Sequence, residues 1–189
     1  MKYIDFKNIE YLKYGNEKQI KSYNILTNIN IFNILKEYTP VLVGTIPIDI
    51  DINTSDLDII CEVRDFVGFI YVLKQNFSGY DDFKVDCHAE NIVVCNFKAQ
   101  EIEIEIYASK ENVDKANGYR HMLVEYRIMN LLGKDFKNNI IKLKEDGMKT
   151  EPAFAKLLKL DGNPYDELLL FEKYLDEDII NHFKRLERI

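Results

Sequence analysis

Residues 101–107 read Glu-Ile-Glu-Ile-Glu-Ile-Tyr, and a strict two-residue period predicts a β-strand with Glu101, Glu103 and Glu105 together on one face. A strand needs partners for its backbone N–H and C=O groups. The chain must therefore build a sheet, and three other segments suit it. Val41-Leu42-Val43 is a short apolar run closed by Gly44, which predicts a buried strand running into a tight turn. Leu57 to Val63 reads as a second, largely buried strand, and Asn91 to Phe97 as another. Ile46-Pro47-Ile48-Asp49-Ile50-Asp51-Ile52 also alternates, leaving one face to be buried with Asp49 and Asp51 on the other. Asn53-Thr54-Ser55 breaks that pattern.

Helical spacing occupies the rest. Ile20, Tyr23, Ile25, Leu26, Ile29, Phe32, Ile34 and Leu35 follow it up to Tyr38, and Pro40 ends the stretch. Phe66 to Phe77, with Val67, Ile70, Tyr71 and Leu73 at helical separations and Gly79 beyond its end, predicts a crossover helix. From about Asn117 the pattern is helical throughout: Tyr119 to Leu132, Asn139 to Gly147, Pro152 to Leu160 and Tyr165 to Leu175. The expectation is an α+β fold, with an antiparallel or mixed sheet and helices packed on one side rather than a doubly wound parallel sheet. Residues 1–115 would form the core and 116–189 a helical C-terminal region packed on it.

Composition narrows the function. With 47% hydrophobic and 30% charged residues, a sizeable core and a soluble surface are both available. The formal net charge of -7 repels polyanions, which argues against broad nucleic-acid binding. Cys61, Cys87 and Cys95 have no C-x-x-C spacing and cannot all pair within one chain, so a reduced compartment is the simpler expectation. The start carries no continuous apolar segment, and no uncharged apolar run is long enough to span a bilayer. A cytoplasmic protein without a membrane partner is expected. The 12 tyrosines and 11 phenylalanines are scattered rather than gathered in an RNA-binding block, which assigns most of them to the core; Tyr107 and Tyr119 could stack on a base beside the site, with core packing the leading expectation for both.

The chemistry concentrates in Gly44-Thr45 and Ser55-Asp56-Leu57-Asp58-Ile59. Residues two apart on a strand point to one side, so Asp56 and Asp58 would present both carboxylates together at the start of a core strand. Like charges that close resist joint burial. A divalent cation relieves the repulsion, and hard carboxylate oxygens suit Mg²⁺, which recruits waters and substrate phosphates as its remaining ligands. Glu105 or Glu103 would supply a third carboxylate from a neighbouring strand. Gly44, lacking a Cβ, permits close approach to a phosphate, and Thr45 adds a hydroxyl donor. These parts describe phosphoryl or nucleotidyl transfer by two-metal-ion catalysis. Taken singly, D-x-D reads as a surface pair and Gly-Thr as a plain turn; their ordered combination carries the argument.

The pattern from Val43-Gly44-Thr45 through Asp56-Leu57-Asp58-Ile59 resembles the DNA polymerase beta-like nucleotidyltransferase superfamily. That resemblance implies the fold, the small-residue turn and the metal-binding carboxylates, although Glu stands here where the superfamily's third carboxylate is more usually Asp. More narrowly, Gly44-Thr45-Ile46-Pro47-Ile48, Ser55-Asp56-Leu57-Asp58-Ile59, Tyr119-Arg120-His121-Met122 and Lys149-Thr150-Glu151-Pro152-Ala153-Phe154-Ala155 resemble a bacterial domain-of-unknown-function family placed in that superfamily. It implies no particular acceptor.

Further groups have two readings each. Arg120 and His121, at the start of a helix, could meet a triphosphate or assist proton transfer, or be a surface arginine and a packed histidine. Lys149 could face a phosphate, while Lys149-Thr150-Glu151-Pro152 is explained as helix initiation with Thr150 or Glu151 as N-cap. Lys134, Lys137, Lys142 and Lys144 suit either a phosphate or a solvated face. Cys87, His88 and Glu90 lie in a stretch that reads as a loop and lacks zinc-site spacing. The expected sites are therefore Asp56, Asp58 and Glu105 for catalysis and metal, and Gly44, Thr45, Ser55, Arg120, His121 and Lys149 for the nucleotide. The leading expectation is a Mg²⁺-dependent enzyme that moves an NMP group from an NTP to a hydroxyl acceptor. The alternative is a non-catalytic nucleotide- or protein-binding module on the same fold.

Overall fold

The structure, a computed structural model, describes residues 4–88 and 91–186. The chain divides into two compact units, one formed by Lys2–Asp49 and Ser55–Tyr119, the other taking in Ile50–Thr54 and the chain from Arg120.

The first unit opens with a 3-10 turn over Ile9–Tyr14, then α1 (Glu17–Asn28), the short α2 (Ile31–Ile34) and a 3-10 turn over Lys36–Tyr38. There follow β1 (Val41–Val43), β2 (Leu57–Glu62), α3 (Phe66–Phe77), β3 (Asp81–His88), β4 (Ile92–Ala99) and β5 (Ile102–Ser109). The strands form one sheet in the order β1-β2-β5-β4-β3. β2 and β5 are parallel; the other neighbours are antiparallel. The fold is α+β with a mixed sheet. The parallel pair arises because α3, β3 and β4 intervene between β2 and β5, bringing β5 back beside β2 in the same direction.

β5 obeys the alternation of its sequence: Ile102, Ile104, Ile106 and Ala108 are buried, while Glu103 and Tyr107 are exposed. Those buried residues share a core with Leu57, Ile59 and Cys61 of β2, Ile25 and Leu26 of α1, and Phe69, Leu73 and Phe77 of α3. Asp65 starts α3 by accepting a hydrogen bond from Gly68 N at 3.0 Å. Its buried stripe is Phe69, Leu73 and Phe77, whereas Val67 and Tyr71 face outward. Burial of each such side chain is worth roughly 1.5–3 kcal/mol. Phe77 also stacks on Phe97 of β4, with ring centroids 5.0 Å apart.

Two segments depart from their sequence pattern. Ile46–Ile52 is not an extended face but a series of turns, even though Ile46, Ile48 and Ile50 are buried. Pro47 has no N–H for a ladder, and Asp49 takes a left-handed φ of 60° with its N–H bonded to Ile46 O. β3 is the converse case. It is an edge strand with mostly exposed or half-buried residues, so no alternation marks it, and Cys87 and His88 belong to it rather than to a loop. Glu90 lies outside the described residues.

The second unit contains most of α4 (Asn117–Leu132), α5 (Lys134–Glu145), α6 (Thr150–Leu158), α7 (Pro164–Leu169), a 3-10 turn over Leu170–Lys173 and α8 (Asp176–Leu186). Its apolar interior includes Ile128, Phe136, Ile140, Phe154, Leu158 and Ile179. Phe136 makes edge contacts with Phe154 and Phe183 at 5.7 and 5.3 Å between centroids. Arg127 ties the end of the unit to α4, donating to Asp176 Oδ1, Phe171 O and Tyr174 O. The N-cap of α6 is Lys149, one residue before Thr150 and two before Glu151, the caps expected from sequence, and its side chain makes no capping bond. Lys144 is not on a solvated face: it is buried, with Nζ donating to Ile50 O. That bond draws Ile50–Thr54 into this unit. Among the described residues, no helix is long and apolar enough to cross a membrane.

Candidate active site

The β1–β2–β5 end of the sheet gathers the acidic residues. Asp58 is the Cα partner of Val43 on one side and of Glu105 on the other. In-register residues of parallel neighbours project to the same face, so Asp58 and Glu105 stand side by side. Glu103 pairs with Lys98 on β4 and lies beyond the start of β2, which distinguishes it from Glu105. Asp56 immediately precedes β2 and is exposed.

The electrostatics follow from this placement. Burial, then the neighbouring Asp56 and Glu105 carboxylates, push the Asp58 carboxyl up to about 7. Glu105 is raised too, by burial first and then by Asp56 and Glu103. Both shifts have the sign expected of partly desolvated like charges. The three carboxylates are neighbours, but their oxygens are not drawn into a single group with all separations within 4.8 Å; among the described residues that closeness occurs at His121, Glu125 and Glu151.

Gly44 is fixed by Asp58. Its φ of +84° lies in the left-handed region, and a Cβ built on it would collide with Asp58 Oδ2. The Cβ-free turn thus makes room for a carboxylate at the mouth of the β1–β2 pair. Thr45 and Ser55, ten positions apart, meet through a hydrogen bond from Thr45 Oγ1 to Ser55 Oγ at 3.2 Å. This bond joins the two halves of the sequence motif.

α1 holds the turn in place. Asn16 and Gln19 form a capping box: Asn16 Oδ1 accepts from Gln19 N, and Gln19 Oε1 accepts from Asn16 N. The same two side chains then reach the loop. Gln19 Nε2 donates to Ile46 O at 2.8 Å and to Pro47 O at 3.3 Å, and Asn16 Nδ2 donates to Asp49 Oδ1 at 2.6 Å. A loop with no ladder partners therefore has its carbonyls satisfied by a helix N-terminus. Nothing in the local sequence of 44–49 announces this role of Gln19; the one signal is the Asn-x-x-Gln spacing of a helix start.

The remaining sequence-predicted residues belong to the helical unit. Arg120 forms a bidentate pair with Glu172, at 2.9 Å from Nε and 2.7 Å from Nη2. His121 is buried beside Glu125 and Glu151, with the ring of Tyr165 edge-on at 6.1 Å. Lys149 is exposed at the head of α6. In the sheet unit, Cys61 and Cys95 are buried thiols pushed up to about 12, and Cys87 is an exposed one.

For Mg²⁺, the fit rests on the donor set: two half-buried carboxylates in register, a third at the strand entrance, and a cradle that a Cβ would fill. Hard oxygens of this kind match Mg²⁺ better than a soft or imidazole-preferring ion.

Solved structures share this fold. A cytoplasmic RNA terminal U-transferase aligns with a TM-score of 0.53 at 15% identity over 82% of this chain and 48% of that one. The GLD-2/RNP-8 complex aligns at 0.53 and 14% identity, over 79% of this chain and 61% of its counterpart. The Cid1 poly(U) polymerase bound to MgATP aligns at 0.56 and 12% identity, over 84% and 54%. The likeness establishes a nucleotidyltransferase-like fold, and this chain spans about half to three fifths of the length of those proteins. No curated protein matches the chain in sequence. The profile of the family described as Domain of unknown function (DUF4269) matches residues 24–171, and the chain belongs to that family.

Proposed function

We propose that this protein is a Mg²⁺-dependent nucleotidyltransferase that moves an NMP group from an NTP to a hydroxyl on an acceptor, working in the cytosol. The observation that carries the reading is the three-strand arrangement in which Asp58 faces Glu105 in parallel register while Gly44 vacates the space beside its carboxylate. Asp56, Asp58 and Glu105 would hold Mg²⁺. When bound, the ion would neutralise triphosphate charge and stabilise the attacking and leaving oxygens of an in-line displacement.

The chain's own groups do the positioning. Gly44 lets the backbone approach the phosphates, and the hydroxyls of Ser55 and Thr45, which bond each other at 3.2 Å, can turn their O–H donors towards the phosphate oxygens on binding. Gln19 fixes the loop that follows, so the turn is set before substrate arrives. The acceptor hydroxyl attacks the α-phosphorus as its proton passes to solvent, the bond to the α–β bridging oxygen breaks, and pyrophosphate leaves. No side chain forms a covalent intermediate. That a structural neighbour was solved with MgATP supports the pairing of metal and triphosphate on this fold.

The test is Mg²⁺-dependent release of pyrophosphate, with transfer of α-phosphate label, from each of the four NTPs in the presence of RNA 3′ ends and of metabolite-sized hydroxyl acceptors. Activity that disappears in Asp58→Asn and Glu105→Gln supports the reading. NTP binding without turnover under every acceptor condition would favour a binding module instead.

A further inference from the structure

The helical unit contains a second group of metal-type ligands that the transferase reading does not use. His121 and Glu125 stand four residues apart on α4, hence on one face of the helix, and Glu151 comes from the first turn of α6. One ligand atom from each lies within 4.8 Å of the other two. His121 is 6% exposed and Glu125 3%. His121 Nδ1 is buried with no hydrogen-bond partner.

Such a group is costly without an occupant. A buried imidazole nitrogen without a partner forgoes a hydrogen bond it would have made in water, and burial with Glu151 alongside holds the Glu125 carboxyl well above the ordinary carboxylate range. His121 is shifted towards its neutral form, chiefly by burial. Buried Lys144 acts on Glu125 and lowers it in part, and its Nζ also donates to Ile50 O. Apolar packing does not explain the group, because His121, Glu125 and Lys144 are three of the five polar or charged residues buried among those described.

We propose that His121, Glu125 and Glu151 form a binding site for a divalent first-row transition cation, linking α4 to α6. One imidazole nitrogen and two carboxylate oxygens suit Zn²⁺ or its neighbours better than Mg²⁺ or Ca²⁺, which prefer all-oxygen shells. Metal–ligand bonds of about 2.0–2.2 Å allow two ligands on one ion to be at most about 4.4 Å apart, so small side-chain rotations close the observed spacing. Glu151 also sits at a helix N-terminus, where its anion is favoured. The site is independent of the transferase reading and assigns His121 to metal rather than to nucleotide.

The test uses the full chain, stripped with EDTA, with Zn²⁺ alone as the probe and equilibrium dialysis with elemental analysis as the readout. An Asp56→Asn/Asp58→Asn/Glu105→Gln background silences the sheet carboxylates. It should bind one equivalent of Zn²⁺, and adding Glu151→Gln, a nearly isosteric change at a half-buried position, should weaken binding at least tenfold. Co²⁺ in place of Zn²⁺ should give visible absorption that is lost in His121→Gln. No tight Zn²⁺ binding in that background, or an unchanged Zn²⁺ affinity after Glu151→Gln in a variant that retains its helical circular dichroism, overturns the proposal.

Discussion

Replacing Asp58 by asparagine should stabilise the metal-free protein, and only above a defined pH. Raising this carboxyl from its ordinary value of 3.8 to about 7 corresponds to a penalty of about 4 kcal/mol on the ionised form. Between those values the folded state keeps a proton that the unfolded chain has released, so stability falls as pH rises from about 4 to about 7 and is level beyond. Asparagine removes the ionisation but still buries an amide, at a cost of roughly 1–3 kcal/mol. The net gain for Asp58→Asn at pH 8 is then about 1–3 kcal/mol, and each kcal/mol is worth roughly 2–4 °C in Tm for a chain of this size. Thermal melts of both proteins in EDTA, from pH 4 to pH 8.5, measure it. Near pH 4, where wild type carries no ionisation penalty, the variant should be the less stable by the amide cost of about 1–3 kcal/mol, and the curves should cross before pH 8. A difference between variant and wild type that does not change with pH would refute the reasoning, because it would mean that Asp58 is not a desolvated carboxylate beside other carboxylates. Excess Mg²⁺ should shrink the gap by stabilising wild type more than the variant.

Three further outcomes are expected. Gly44→Ala should cost at least about 1–2 kcal/mol by urea unfolding, from the left-handed φ alone, and part of the additional cost from the Asp58 clash should be recovered in Gly44→Ala/Asp58→Ala. Gln19→Ala should cost about 2–3 kcal/mol in the same assay, because it breaks the capping box and strips donors from the Ile46 and Pro47 carbonyls. Thr45→Val should leave Tm within a few degrees but weaken Mg·NTP binding in calorimetry by about tenfold, the effect of one lost hydrogen bond to a charged phosphate of roughly 1.5 kcal/mol.

Much of the sheet unit was legible in the sequence because its buried strands carry their own patterns. β5 alternates, β1 and β2 are apolar runs bounded by turn residues, and α3 carries a helical period over Phe66–Phe77 with Gly79 beyond its end. β3 was not legible: an edge strand with neither face deeply buried has no period to read. The 46–52 segment misled because its isoleucines are buried by turns, and the residue responsible, Gln19, lies far away in sequence. For the candidate site, the two-residue spacing across the start of β2 was enough to bring Asp56 and Asp58 close. Choosing between Glu103 and Glu105 needed the β2–β5 register, which no local pattern encodes. The His121, Glu125 and Glu151 group was hidden for a related reason. Two of its members are a helical i, i+4 pair, but the third arrives through the packing of α6.

The central claim is that Asp56, Asp58 and Glu105 hold the cation of an NTP seated on Gly44-Thr45. A crystal structure of the protein with Mg²⁺ and an NTP analogue that cannot be cleaved between the α- and β-phosphorus tests it most directly. The account predicts metal density bridged by Asp56 and Asp58, with Glu105 within reach of the α-phosphate side and the triphosphate lying along Gly44-Thr45 beside the Ser55 hydroxyl. A nucleotide bound elsewhere, or bound at that turn with no cation on the three carboxylates, would contradict it.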